Sequence, residues 1–182
     1  MGKKIIILNG SPRSGGNTSA LTAEYRRGAQ EAGNEVQEFF LSGMKINGCL
    51  GCWGGGKDPV HPCSQHDDME KIYPVYKEAD VVVLASPLYY WFISGFLKNA
   101  FDRLFAIAEC DPGYRNPRKA CALIMAAEGA GFEESEFWYD HLEKHMSWNS
   151  IGKVLCGYVT QPGDTKERSE LKQAYELGKS VE

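Results

Sequence analysis

No stretch of this chain is apolar for long enough to cross a membrane, and Lys3 and Lys4 precede only a four-residue apolar run, too short for the core of a secretory signal. Basic charge is not in excess either. The 20 Lys and Arg against 24 Asp and Glu leave a net charge of -4, and no basic stripe marks a nucleic-acid surface. Internal repeats and low-complexity segments are missing as well. These absences exclude the membrane and nucleic-acid classes and point to a cytoplasmic protein. With 182 residues, 43% of them apolar and 24% charged, the chain reads as a single globular domain over 1–182 with a proper core. Its six cysteines, without a secretory signal, read as reduced thiols or ligands rather than disulfides.

Two further absences narrow the stretch around which the chain is organised. Ile5 to Leu8 is an apolar, β-branched-rich run with no polar alternation, as expected of a parallel strand buried on both faces. It empties into Gly10-Ser-Pro-Arg-Ser-Gly-Gly-Asn-Thr18, a small-residue loop in which Asn17 and Thr18 are good starters for a helix. The first amides of such a helix are unpaired and its dipole favours an anion. Ser11, Ser14 and Thr18 add hydroxyls, Asn17 an amide and Arg13 a charged fork, all suited to phosphate oxygens. The lysine of a nucleoside-triphosphate loop is absent after Gly15, where Gly16 and Asn17 stand. The dinucleotide fingerprint fails too, because its second glycine would fall on Pro12, which has no N–H to offer. A single terminal phosphate fits best.

The rest of the chain alternates strand and helix. Asn17 to Ala32 is expected as a helix, Val36 to Leu41 as a second strand, Asp67 to Glu78 as a helix and Val81 to Ala85 as a third, buried strand. Ser86 to Trp91 then reads as a loop leading into one amphipathic helix from Ile93 to Glu109, whose Phe96, Leu97, Ala100, Phe101, Leu104 and Phe105 recur at helical spacing. A fourth strand is expected at Ala120 to Ala127, a helix at Glu133 to Trp148, a fifth strand at Ile151 to Val159 and a last helix at Thr165 to Lys179. Five such alternations predict an α/β protein with a parallel sheet between two helical layers. At its reversal point the loops after the first and third strands lie side by side. The second of these, Pro87-Leu88-Tyr89-Tyr90-Trp91, is a stiff aromatic wall suited to a flat ring. A flat ring beside a phosphate cradle suggests flavin mononucleotide.

The loop Gly10 to Thr18 resembles the signature Gly-Ser-Pro-Arg-x-x-Gly-Asn-Thr of the flavodoxin-like NAD(P)H-dependent FMN reductases. The resemblance extends to Ser86-Pro87-x-Tyr89 and to Leu97-Lys98 with Asp102-Arg103, and so runs over most of the chain. It implies a flavodoxin-like three-layer sandwich with five parallel strands in the order 2-1-3-4-5. It also implies FMN as cofactor, NADH or NADPH as hydride donor, and a small acceptor such as a flavin, quinone or nitroaromatic. Ser11, Arg13, Ser14, Asn17, Thr18, Pro87, Leu88, Tyr89, Tyr90, Trp91 and Glu128 are the residues expected to hold the cofactor, Glu128 from the loop that follows the fourth strand. Family members commonly bind FMN at a dimer interface, so a homodimer or a dimer of dimers is expected, with Tyr89 to Trp91 serving ring and partner together. No side chain is expected to act as acid or base, because the flavin carries the chemistry.

The long connection 42–67 holds six glycines with Cys49, Cys52 and Cys63. It resembles the ligand loop of the iron–sulfur flavoproteins, relatives within the same fold, whose Cys-x-x-Cys-x-x-Cys opening has Gly55 at its third position here. Three thiolates are one short of the four that a cubane cluster takes. His61 would complete a Cys3His set on paper, but its spacing fits no common zinc motif, and no metal is expected. A Cys49–Cys52 redox pair remains open at this stage. The competing function is an electron-transfer flavoprotein that passes electrons between protein partners.

Overall fold

In the computed structural model, which describes residues 2–182, the apolar run forms β1 (Lys4–Asn9), followed by α1 (Asn17–Glu31) and β2 (Glu35–Phe40). A 3-10 turn at Leu41–Gly43 opens the long loop, and α2 (Met69–Glu78) leads to β3 (Val81–Tyr89) and the short β4 (Phe92–Ile93). Next come α3 (Gly95–Arg103), α4 (Phe105–Ala108), β5 (Ala120–Ala126), α5 (Glu133–Met146), β6 (Asn149–Cys156) and α6 (Ser169–Lys179). The sheet order is β2-β1-β3-β5-β6, all parallel, with β4 antiparallel to the end of β3. Setting β4 aside, this is the expected 2-1-3-4-5.

Alternation along the central strands divides the core in two. Ile6, Leu8, Val82, Leu84, Leu123 and Met125 face α2 to α5, whereas Ile5, Ile7, Val81, Val83, Ile124 and Ala126 face α1 and α6. Every one of these side chains is buried, which is why the strands show no polar alternation in sequence.

The structure departs from the pattern in several places. The helix expected over Ile93 to Glu109 is two helices. Tyr73 Oη donates to the carbonyl of Arg103 at 3.2 Å, and the Ile107 amide bonds Leu104 instead, so the helical ladder breaks there. The stretch Ser86 to Trp91 is not an open loop. β3 continues through Tyr89 and folds back on Phe92–Ile93, pairing Leu88 with Ile93 and Tyr89 with Phe92. Tyr90 and Trp91 form the two-residue turn, with φ of 48° and 62°, a primed hairpin geometry that bulky residues rarely adopt. α2 starts two residues late because the Asp67 carboxylate takes the Met69 amide at 3.1 Å. β6 ends at Cys156, and Gly157 to Val159 turn away to bond the 127–129 segment. α6 starts at Ser169 rather than Thr165.

Candidate functional site

The carboxyl ends of β1, β3, β5 and β6 open on one side of the sheet, the usual location for a ligand in an open parallel sheet. There the loops enclose a cleft of about 410 Å³ lined by Ser11, Arg13, Asn17 and Thr18, by Pro87, Leu88 and Tyr89, by Ala126 to Glu128, and by Val159 to Pro162. Eight of the eleven residues singled out in sequence therefore share one cleft. Ser14 is exposed outside its lining, and Tyr90 and Trp91 sit at the hairpin tip, 93% and 58% exposed.

The first loop is shaped from within. Asn9 is fully buried; its amide donates to Glu38 at 2.9 Å and its carbonyl oxygen receives the Ser11 amide at 2.9 Å. Glu38, whose side chain is 3% exposed, also accepts from Thr22 at 2.8 Å and pairs with Arg26 at 3.2 Å. The Ser11 and Ser19 hydroxyls both donate to the Arg13 carbonyl, at 3.0 and 2.9 Å, and the Arg13 amide returns to Ser11 at 3.2 Å. Gly10 is clamped to β3 through the Ala85 carbonyl at 2.8 Å, and its own carbonyl takes the Ser94 hydroxyl at 2.8 Å. A side chain at Gly10 would meet Ser94 and come within 2.8 Å of Leu97 Cβ, so only glycine allows this approach.

With the loop's own side chains so engaged, its donors face outward. α1 has no side-chain cap and no acidic residue in its first turn, and the amides of Asn17, Thr18 and Ser19 take no partner among the described residues. Among the described residues, the hydroxyl of Thr18, buried against the cleft, bonds nothing, and Arg13 is exposed and joins no ion pair either. Free amides, a hydroxyl and an unpaired guanidinium at a helix start form a donor set for a phosphate dianion, and the adjoining apolar wall suits a ring, so the residues present fit an FMN. Asn17 behaves differently from expectation. Its side chain is spent on the loop after β6, donating to the Gln161 carbonyl at 3.0 Å and accepting from the Gly163 amide at 3.3 Å.

The wall Val159 to Pro162 was missed in sequence, where the fifth strand was extended through Val159. Asp164 holds this segment by accepting from the Thr160 and Gln161 amides, each at 2.8 Å. The signal available was positional, since the carboxyl end of every parallel strand points to the same side.

The cysteine loop lies elsewhere. Arg103, 1% exposed, grips Asp67 with both guanidinium nitrogens at 2.7 and 3.2 Å and donates to the Asn47 and Gln65 carbonyls at 3.0 and 3.4 Å. Asp67 before α2 and Arg103 of the Asp102-Arg103 signature at the end of α3 are thus the two halves of one buried pair. Cys49, Cys52 and Cys63 line a separate apolar pocket of about 130 Å³ with Trp53, Phe105 and Glu109. The Ser64 hydroxyl, 3.2 Å from Cys52 Sγ, and the Gly54 amide hold the Cys52 thiol below its ordinary value.

Residues 3–163 match the family model for NADPH-dependent FMN reductase. An iron–sulfur flavoprotein of Methanocaldococcus jannaschii is 37% identical over 196 residues, covering 98% of this chain and 95% of the relative. A Bacillus subtilis protein that carries the name of an NAD(P)H-dependent FMN-containing oxidoreductase is 30% identical over 169 residues, covering 88% of each chain. In fold, the NAD(P)H:quinone oxidoreductase from Methanothermobacter marburgensis superposes with a TM-score of 0.74 at 17% identity, covering 98% of this chain and 96% of that one. The chain belongs to the NADPH-dependent FMN reductase family, flavin-dependent oxidoreductases of flavodoxin-like fold.

Proposed function

We propose that this chain binds FMN in the cleft, takes hydride from NADH or NADPH, and reduces a small acceptor such as a free flavin, a quinone or a nitroaromatic. The observation that carries the reading is the cleft itself. It joins an anion cradle, Ser11 to Thr18, to the Pro87–Tyr89 wall within one volume of about 410 Å³. The FMN, when bound, supplies the hydride acceptance and the onward transfer of electrons. Arg13, the Thr18 hydroxyl, and the Asn17 and Thr18 amides hold the phosphate, while Ser11 keeps the loop in shape. Pro87, Leu88 and Tyr89 exclude water from one side of the ring and offer it backbone groups. Ala127 and Glu128 close the third side. No acid or base is assigned.

The hairpin tip favours a homodimer. Tyr90 and Trp91 hold positive φ at a cost of about 1 to 3 kcal/mol each while almost fully or largely exposed, and Ser135 fixes the turn by donating to the Trp91 carbonyl at 3.0 Å. Strain held at an exposed aromatic pair beside the cleft fits a surface that a second copy covers, and Tyr90 and Trp91 would then serve cofactor and partner together. Cytoplasmic residence goes with this reading. Steady-state oxidation of NADH and NADPH with an artificial acceptor tests it; FMN bound at one per chain with no turnover on either nucleotide would sink the enzyme reading. Sedimentation of the wild type and of Trp91→Ser tests the dimer, which should weaken in the variant.

A further inference from the structure

The relatives of this chain include several that carry the name iron–sulfur flavoprotein, and the cysteine loop resembles theirs. The residues present here do not fit such a cluster. We infer that the Glu109 carboxylate fills the third ligand place of the loop, that Cys49, Cys52 and Cys63 stay free thiols, and that this chain holds no iron–sulfur cluster.

The argument begins at Gly55, which stands where the third cysteine of the pattern would be. A Cβ added there would collide with Glu109 Oε2 and come within 2.7 Å of the Pro62 carbonyl oxygen. The space a third thiolate needs is therefore taken, on one side by the fixed Pro62 carbonyl and on the other by the movable end of a carboxylate reaching from the end of α4. The neighbouring glycine reinforces this. Gly56 has φ of 73°, and a Cβ on it would run into the Glu109 backbone, so the loop is seated directly on that residue. Glu109 is not an equivalent replacement, since a carboxylate is a hard ligand and sulfide-bridged iron is held by soft thiolates.

The remaining thiols are not arranged for iron either. Cys52 Sγ is engaged with Ser64, and Cys49 Sγ accepts the Gly51 amide at 3.4 Å. Cys63 is half-buried on the other strand of the loop. No three His, Cys, Asp or Glu groups among the described residues converge on one point. Cys110 is in sequence reach, but its thiol turns back to the Ala106 carbonyl at 3.5 Å and does not line the pocket. The loop keeps its shape without a cluster because Arg103 and Asp67 fasten it, so metal is not needed to order it.

The test is reconstitution. Holoprotein purified without oxygen is incubated with ferrous iron and sulfide and desalted, and iron, acid-labile sulfide and FMN are measured separately. The Methanocaldococcus jannaschii relative is treated in parallel as control. The expected result is no more iron than in a Cys49→Ser, Cys52→Ser variant, flavin bands without broad absorption beyond them, and Cys49 and Cys52 equally reactive toward a thiol reagent before and after treatment. Iron and sulfide above that background, with both thiols protected, would overturn the inference. The role of Glu109 has its own check in thermal stability. Gly55→Cys should lower Tm, and adding Glu109→Ala should recover part of the loss; a double variant no more stable than Gly55→Cys alone removes Glu109 from the third place. The FMN content, read independently of iron, reports on the cofactor reading without touching this one.

Discussion

The Gly10–Thr18 loop and the 42–67 loop are fastened to the same sheet in opposite ways. The first is shaped by short side chains in it and directly beside it. Asn9, Ser11 and Ser19 turn inward, and the amides and Arg13 are left facing the cleft. The second leans on a distant residue as well as on ties of its own, such as Gln65 to the Gly48 carbonyl and the Asp68 amide to the Lys45 carbonyl, each at 3.0 Å. One arginine, 36 to 56 residues further along the chain, collects Asp67 and the Asn47 and Gln65 carbonyls, and Cys49 and Cys52 take no part in this grip. A loop built in the first way is a preorganised anion site, because its donors are already free of competing partners. A loop built in the second way is a scaffold that can lose a ligand, as at Gly55, without losing its shape.

The sharpest way to break this comparison is at Arg103. Arg103→Ala should leave Asp67 buried and unpaired and lower stability by about 3 to 5 kcal/mol in urea unfolding, with the cysteine loop becoming protease-sensitive first. A loss under about 1 kcal/mol would mean the loop has some other fastening. The same pair sets an acid limit. Burial opposes ionisation of Asp67, but Arg103 and the Asn47 and Met69 amides outweigh it and hold the carboxyl below its ordinary 3.8. A depressed carboxylate stabilises the fold above its unfolded pKa, and that contribution is lost as pH falls through the folded value. Wild type should therefore lose stability more steeply below about pH 4 than Asp67→Asn does.

The phosphate loop should respond in binding instead. Arg13→Ala removes an exposed guanidinium with no structural partner among the described residues, so stability should hold while FMN affinity falls by about 10- to 150-fold, the equivalent of roughly 1.5 to 3 kcal/mol for a charged hydrogen bond. Unchanged affinity would move the phosphate elsewhere. A subtler effect is expected one layer below. Glu38 only accepts and the Ser11 amide only donates, so the Asn9 amide has one orientation that satisfies both. Asn9→Asp sets two carboxylates against each other and should weaken FMN binding by about tenfold, or 1.4 kcal/mol. Adding Glu38→Gln restores a donor opposite the new carboxylate and should return most of the affinity. Absence of that rescue would mean that the pair does not set the loop.

How much of this was legible in the sequence follows the same division. β1, β3 and β5 could be read because strands buried on both faces leave uninterrupted apolar runs, their order came from the resemblance, and the anion loop could be read because its donor residues stand together between Ser11 and Thr18. The broken helix at Leu104 could not be read, since the hydroxyl that breaks it comes from Tyr73 in another helix. The hairpin at Tyr90 and Trp91 was hidden for a different reason, because neither residue carries the glycine or asparagine signal of a positive-φ turn. Arg103 was visible as a motif residue, but nothing in its stretch says that it meets Asp67.

Asn17 is the smallest and most discriminating case. Its position in the signature reads as a phosphate ligand, yet both ends of its side chain are occupied by residues 144 and 146 positions away, in the wall after β6. Each bond is partly exposed, so Asn17→Ala should cost about 0.5 to 1.5 kcal/mol of wall fastening, felt as a roughly 2- to 12-fold loss of FMN affinity. Magnitude alone does not separate a ligand from a tie, but riboflavin does, because it presents the same ring without the phosphate. If Asn17 contacts phosphate directly, riboflavin affinity should be unchanged in Asn17→Ala. If it holds the Gln161 wall against the ring, riboflavin and FMN should weaken by the same factor. The hydrogen bonds predict equal weakening, with Asn17→Asp worse for FMN than for riboflavin, since the new carboxylate keeps the Gly163 bond but repels the phosphate.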